Sequence, residues 1–206
     1  MPELPPSAGT KSPTGKSPAA GDRPEPEIVN RKPAFLRLWA YRRLWLVGIL
    51  VFVLDQLTKH WIRTGLPFGS YGPMGRPVIP GFFNLVHVGN TGAAWSMFAG
   101  RSLMLAGLAG ATLLFIHLFR RQLGLRHAFA QMAFGLLCGG IVGNLVDRIV
   151  HGHVIDFIDL HFGGYIYPTF NVADSAICIG VFAYILWSLK QPAYGENAKS
   201  QMPNPR

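Results

Sequence analysis

The sequence predicts an α-helical membrane protein, with four transmembrane helices and a small extracytoplasmic antiparallel β-sheet between the first and second. Three observations lead there. Half of the 206 residues are apolar and only 14% are charged, against roughly 25% in soluble globular proteins. Between Leu44 and Leu189 the acidic residues are five aspartates, Asp55, Asp147, Asp156, Asp159 and Asp174, too few to keep a globule of that size in solution. The basic residues flank the apolar blocks, as they do in membrane proteins. The net charge of +9 therefore does not point to nucleic acid, whose binders carry Lys and Arg on the folded domain itself. A cytosolic enzyme is excluded on the same grounds.

Residues 1–33 hold eight of the 16 prolines among Ser, Gly, Lys and Glu. Such a segment buries too little apolar area to offset its chain entropy, and it is predicted to be a disordered cytoplasmic tail. It lacks the apolar core of a signal peptide. The membrane domain is assigned to residues 34–190, and 191–206 read as a second short cytoplasmic tail. Within the domain, apolar stretches at 44–62, 102–119, 128–150 and 172–189 each come near the ~20 residues that a bilayer requires. Arg37, Arg42 and Arg43 precede the first, Arg120, Arg121 and Arg126 link the second to the third, and Lys190 follows the fourth. That asymmetry places both termini in the cytoplasm and the segments 64–101 and 151–171 outside.

The first outer segment is punctuated by Pro and Gly from Pro67 to Gly81 and then runs GFFNLVHVGN, partly alternating and rich in aromatic and β-branched residues. Short antiparallel strands follow from that pattern, resting on the outer membrane surface with Phe82, Phe83 and Trp95 at headgroup depth. The second outer segment reads as a short loop between the third and fourth helices. Cys138 and Cys178 both sit in apolar runs and read as buried small hydrophobes, with neither disulfide nor metal-ligand spacing.

Ionisable residues in or beside membrane helices are costly and mark function by default. Asp55 and Lys59 are i and i+4 on one face of the first helix and can pair; an ion pair that only anchors the helix end explains them equally well. Asn90-Thr91-Gly92 in the outer segment is by itself an ordinary turn signal. On the third helix, Asn144, Asp147 and Arg148 share a face, above Gly139, Gly140 and Gly143, which permit close helix approach. Asn171 is a candidate N-cap of the fourth helix and Asp174 falls in its first turn. Asp156 and Asp174 lie at the same outer level. Two carboxylates that meet there cannot both ionise comfortably and share a proton, so one can take a proton from water while the other protonates a carbonyl, as in aspartic proteases.

These clusters, in this order, resemble the lipoprotein signal peptidases (signal peptidase II) of bacteria over residues 44–190. The family's Asp-Gln-x-x-Lys matches Asp55, Gln56 and Lys59. Its Asn-x-Gly-Ala-aromatic loop matches Asn90 through Trp95, with Trp where Phe is more usual, and its Gly-Asn-x-x-Asp-Arg matches Gly143, Asn144, Asp147 and Arg148. Val-x-Asp-Phe matches Val154, Asp156 and Phe157, and Phe-Asn-x-Ala-Asp-Ser matches Phe170 through Ser175. The long N-terminal tail departs from the usual compact member.

The resemblance implies an aspartic endopeptidase of the bacterial inner membrane that works without cofactor or metal, as a monomer among membrane lipids. Its substrates would be lipid-modified prolipoproteins, cut just before the diacylglyceryl cysteine. Asp156 and Asp174 would be catalytic; Asn90, Asn144, Arg148 and Asn171 would hold the substrate; Asp55, Lys59 and Asp147 would form a supporting network. Asp159 lies outside the motifs and receives no catalytic role. Two rivals are weaker. A metal-dependent membrane hydrolase draws on His151, His153, Asp156 and His161, but the spacing is unlike the ligand sets that identify a metal. A small transporter would want its charges near the midplane and internal pseudo-symmetry.

Overall fold

The computed structural model describes residues 39–93 and 97–191; the predicted tails (apart from Gln191) and Trp95 fall outside these. Four α-helices appear among the described residues: α1 (Arg42–Gly65), α2 (Ser102–Leu118), α3 (Ala128–His151) and α4 (Val172–Leu189). Among the described residues, α1, α3 and α4 are long and apolar enough to cross a membrane. α2 is apolar but, at 17 residues, shorter.

Each helix end has a local cause. α1 stops at Leu66, whose extended backbone (φ −133°, ψ 140°) is what the following Pro67 imposes by steric clash. α3 ends at Gly152 in the left-handed region (φ 76°), where a side chain would be strained. α4 starts with a capping box: the Asn171 side chain accepts from the Asp174 N–H, and the Asp174 carboxylate accepts from the Asn171 N–H. Two helical donors that would otherwise be orphaned are satisfied in this way.

α3 is the central helix and packs against the other three. Its small residues let neighbouring backbones approach. A Cβ on Gly139 would come within 2.6 Å of the Gly48 carbonyl oxygen of α1, and one on Gly180 of α4 within 2.6 Å of the Ala133 carbonyl oxygen of α3. Gly140 lies against the Ala173 carbonyl, and Gly143 against the Asp55 carboxylate. This last approach lets a polar side chain of α1 reach the polar face of α3. The opposite side of α1 leaves Leu46, Leu50, Leu54, Leu57 and Trp61 exposed, and α4 does the same with Ile179, Phe182 and Ile185. An apolar surface of that extent suits a lipid neighbour, not water.

The β-sheet has four antiparallel strands in the order β1 (Arg76–Ile79), β2 (Phe83–Asn90), β3 (Val154–Phe162) and β4 (Tyr165–Ile166). It therefore corrects the expectation of a sheet confined between the first and second helices. Half of it comes from the segment between α3 and α4, read from sequence as a loop. β3 is the most buried strand, because both of its faces are covered. Ile155 and Phe157 pack on Ile62 and Leu66 at the end of α1, while Val154 and Leu160 on the other face line a cavity. The β2–β3 pairing is interrupted between Leu85 and Val88.

Candidate active site

The cavity, about 940 Å³ in volume, lies between the sheet and the ends of α3 and α4, within the usual size of small-molecule and peptide sites. Asn90, Asn144, Arg148 and Asp174 line it. Asp156, on β3, is only 1% exposed and is reached from the cavity wall by Asn90, whose Nδ2 donates to Asp156 Oδ2 at 3.0 Å.

Asn171 joins Asp156 and Asp174. Its Nδ2 donates to Asp156 Oδ1 at 2.8 Å, its Oδ1 accepts from the Asp174 N–H at 2.9 Å, and its own N–H donates to Asp174 Oδ2 at 3.2 Å. Asp174 also accepts from Asn144 Nδ2 at 2.7 Å. The carboxyls of β3 and α4 are thus held by three asparagine side chains, neutral donors that fix geometry without supplying a counter-charge. Burial, and then the charge of Asp174, push Asp156 up to about 7. The hydrogen bonds from Asn90 and Asn171, and the positive Lys59, act against that rise without cancelling it. Such a carboxyl exchanges its proton near neutrality.

Beneath the asparagines lies an ionic network. Lys59 is 1% exposed and all three of its donors are used: Asp55 Oδ2 at 2.8 Å, Asp147 Oδ2 at 2.8 Å and Asn144 Oδ1 at 2.9 Å. Gln56 Nε2 lies within hydrogen-bond distance of both carboxylates, 3.2 Å from Asp55 and 3.1 Å from Asp147. Backbone amides complete the set, Ala173 N–H to Asp55 Oδ1 at 2.9 Å and Ile155 N–H to Asp147 Oδ2 at 3.2 Å. The network ties α1 and α3 to the first turn of α4 and the start of β3, the places that carry Asp174 and Asp156. Arg148 donates to the Gly92 carbonyl at 2.9 Å. Its Nε is buried and unpartnered among the described residues.

All nine residues singled out from sequence gather within this one assembly. The contacts that sequence reasoning missed run through the backbone, at Gly92, Ala173 and Ile155, and leave no signature in residue type. The histidines do not converge on one point: His161 pairs with Asp159 at 2.7 Å, His151 lies 3.1 Å from Arg63, and His153 packs on Phe68 with its ring 6.2 Å from that of His151. Among the described residues no three His, Cys, Asp or Glu side chains are placed to share a metal ion.

A sequence profile of the family described as Signal peptidase (SPase) II matches residues 47–190. The chain belongs to the signal peptidase II family. It is 44% identical to a lipoprotein signal peptidase of Oleidesulfovibrio alaskensis over 147 residues, 68% of this chain and 89% of that protein. A lipoprotein signal peptidase of Yersinia enterocolitica is 42% identical over 157 residues, 74% of this chain and 89% of the relative. Among solved structures, one described as a bacterial membrane enzyme determined by the in meso method at 2.3 Å superposes with a TM-score of 0.63 at 32% identity. That match covers 78% of this chain and 92% of the other. As a member of the signal peptidase II family the chain is a protease.

Proposed function

We propose that this signal peptidase II removes the signal peptide of diacylglyceryl-modified prolipoproteins, cutting before the lipid-bearing cysteine at the outer face of the bacterial inner membrane. The observation that supports it most is the joint hold of Asn171 on Asp156 and Asp174. The pair shares one proton. The ionised carboxylate takes a proton from water, the resulting hydroxide attacks the scissile carbonyl carbon, and the protonated partner gives its proton to the carbonyl oxygen. Collapse of the tetrahedral species returns a proton to the leaving amine, and the dyad is restored. Asn90, Asn144, Arg148 and Asn171 hold the peptide backbone, with the free Nε of Arg148 available to a carbonyl. Asp55, Lys59 and Asp147 keep the dyad's supports in place. α2 crosses the membrane with the other three helices, both termini are cytoplasmic, and the enzyme acts as a monomer. A lipid-bearing cysteine keeps its acyl chains in the bilayer, so only a dyad at the interface reaches the bond beside it.

The experiment is incubation of the purified protein with a lipid-modified precursor in the presence of a chelator. Cleavage is expected, and an intact precursor would overturn the proposal. Three further outcomes follow. With Asp156 pushed up to about 7, the protonated partner is lost as pH rises, so kcat/KM should fall as pH is raised through that value. Asn90→Ala removes a hydrogen bond that favours the carboxylate form, so the fall should move to higher pH; a pH–rate profile of the two proteins checks both. Deletion of residues 2–30, assigned to the cytoplasmic tail, should leave cleavage at the outer face intact, as read in the same assay on membranes with equal amounts of inserted enzyme.

A further inference from the structure

Asn84 and Asn90 are six residues apart on β2, so in a regular strand they would point to the same face. Here they do not. Asn90 Nδ2 meets Asp156 on the cavity face of β3, whereas Asn84 Nδ2 donates at 3.2 Å to Asp159, three residues along β3 and on the other face. The pairing explains how. Leu85 opposes Ile158 and Val88 opposes Asp156, three steps on β2 against two on β3, so β2 carries one extra residue. Past that bulge every side chain of β2 changes face.

Both ends of the bulge are fastened. On one side, His87 is turned away from β3. Its N–H donates to Ser70 Oγ at 2.9 Å, its carbonyl accepts from the Gly69 N–H at 2.8 Å, and its Nδ1 donates to the Leu66 carbonyl at 3.0 Å. Leu66 is the residue that closes α1. On the other side, Asp159 Oδ2 accepts from Asn84 and from His161 Nε2 at 2.7 Å, within a side chain that is 3% exposed. Asn84 opposes Asp159 directly, so this pair fixes the register before the bulge, as His87 fixes the extra residue within it.

We propose that the Val86–His87 bulge is a register device that aims Asn90 at Asp156, and that His87 and Asp159 are positioning residues for the reaction. The inference rests on the catalytic reading of Asp156 given above. Without the bulge Asn90 would face away from the cavity, and Asp156 would keep the hydrogen bond from Asn171 alone. Asp159, which no motif includes, acts through Asn84 and the strand, without touching substrate.

The test is a double-mutant cycle on the full-length enzyme, with kcat and KM measured for Asp159→Ala and His87→Ala, each alone and combined with Asn90→Ala. Each single change should lower kcat/KM about 10-fold, the scale of loss from misplacing a group by a fraction of an ångström. In the Asn90→Ala background the same changes should cost less than about 2-fold, because the group they aim is already gone. Asp159→Asn keeps an oxygen for Asn84 and His161 and should restore most of the activity. Equal losses in both backgrounds would mean that these residues merely stabilise the fold, and would overturn the proposal. If Asp159→Ala does not fold, Asn84→Ala, which removes the other half of that fastening, takes its place in the cycle. A silent Asn90→Ala also overturns the register device but leaves the dyad standing, since the dyad fails only if Asp156→Asn remains active.

Discussion

Asp156→Asn and Asp174→Asn are each expected to lower kcat by at least ~10²-fold, the usual worth of a positioned acid or base. Each amide keeps the size of the carboxyl and part of its hydrogen bonding. Asn171 Nδ2 can still meet an oxygen at position 156, and Asn144 Nδ2 one at position 174. What the amides lack is a proton that can leave and return near neutral pH. Both variants should therefore insert and fold as wild type, with an unchanged thermal midpoint in detergent, while precursor cleavage stops. The double variant should be no worse than either single one, because two groups that act as a unit are not additive. Near wild-type turnover by either variant would remove that residue from the dyad.

Lys59→Met should have the largest effect on stability. The ammonium is the only cation bonded to Asp55 and Asp147 among the described residues, and all three side chains are at most 2% exposed. Methionine has similar length but leaves two buried carboxylates facing each other without a counter-charge. Removing one partner of a buried ionic set costs about 3–5 kcal/mol. The loss should appear in the unfolding midpoint, with activity falling in step because Asn144 loses its hold from Lys59. Adding Asp55→Asn and Asp147→Asn to Lys59→Met should restore much of the stability. No recovery would mean that Lys59 matters for packing and not for charge.

Much of this site was legible from residue type and spacing. The i, i+4 relation of Asp55 and Lys59, the capping role of Asn171 and the small residues of α3 each follow from helical geometry and are found in place. Asp147 was grouped with Asp55 and Lys59 by the family resemblance alone, because it reaches Lys59 from another helix and spacing along the chain holds no record of that approach. β3 was missed for a different reason. Asp156 and Asp159 are spaced by three, and both faces of the strand are buried, so the two-residue alternation that marks a half-exposed strand is absent. The bulge did leave a trace: in Phe83-Asn84-Leu85-Val86-His87-Val88 the alternation slips by one at Leu85-Val86. Only the pairing with β3 gives that slip a meaning.

The proposed reaction is cleavage beside a lipidated cysteine by a carboxyl pair at the outer interface. It is tested most directly by intact mass measurement on the products of one precursor, offered with and without its diacylglyceryl group. The expected products are a mature protein that begins with the lipid-bearing cysteine and a signal peptide ending at the residue before it, with the unmodified precursor left uncut. Cleavage at another bond, or equal cleavage of both precursors, would contradict it.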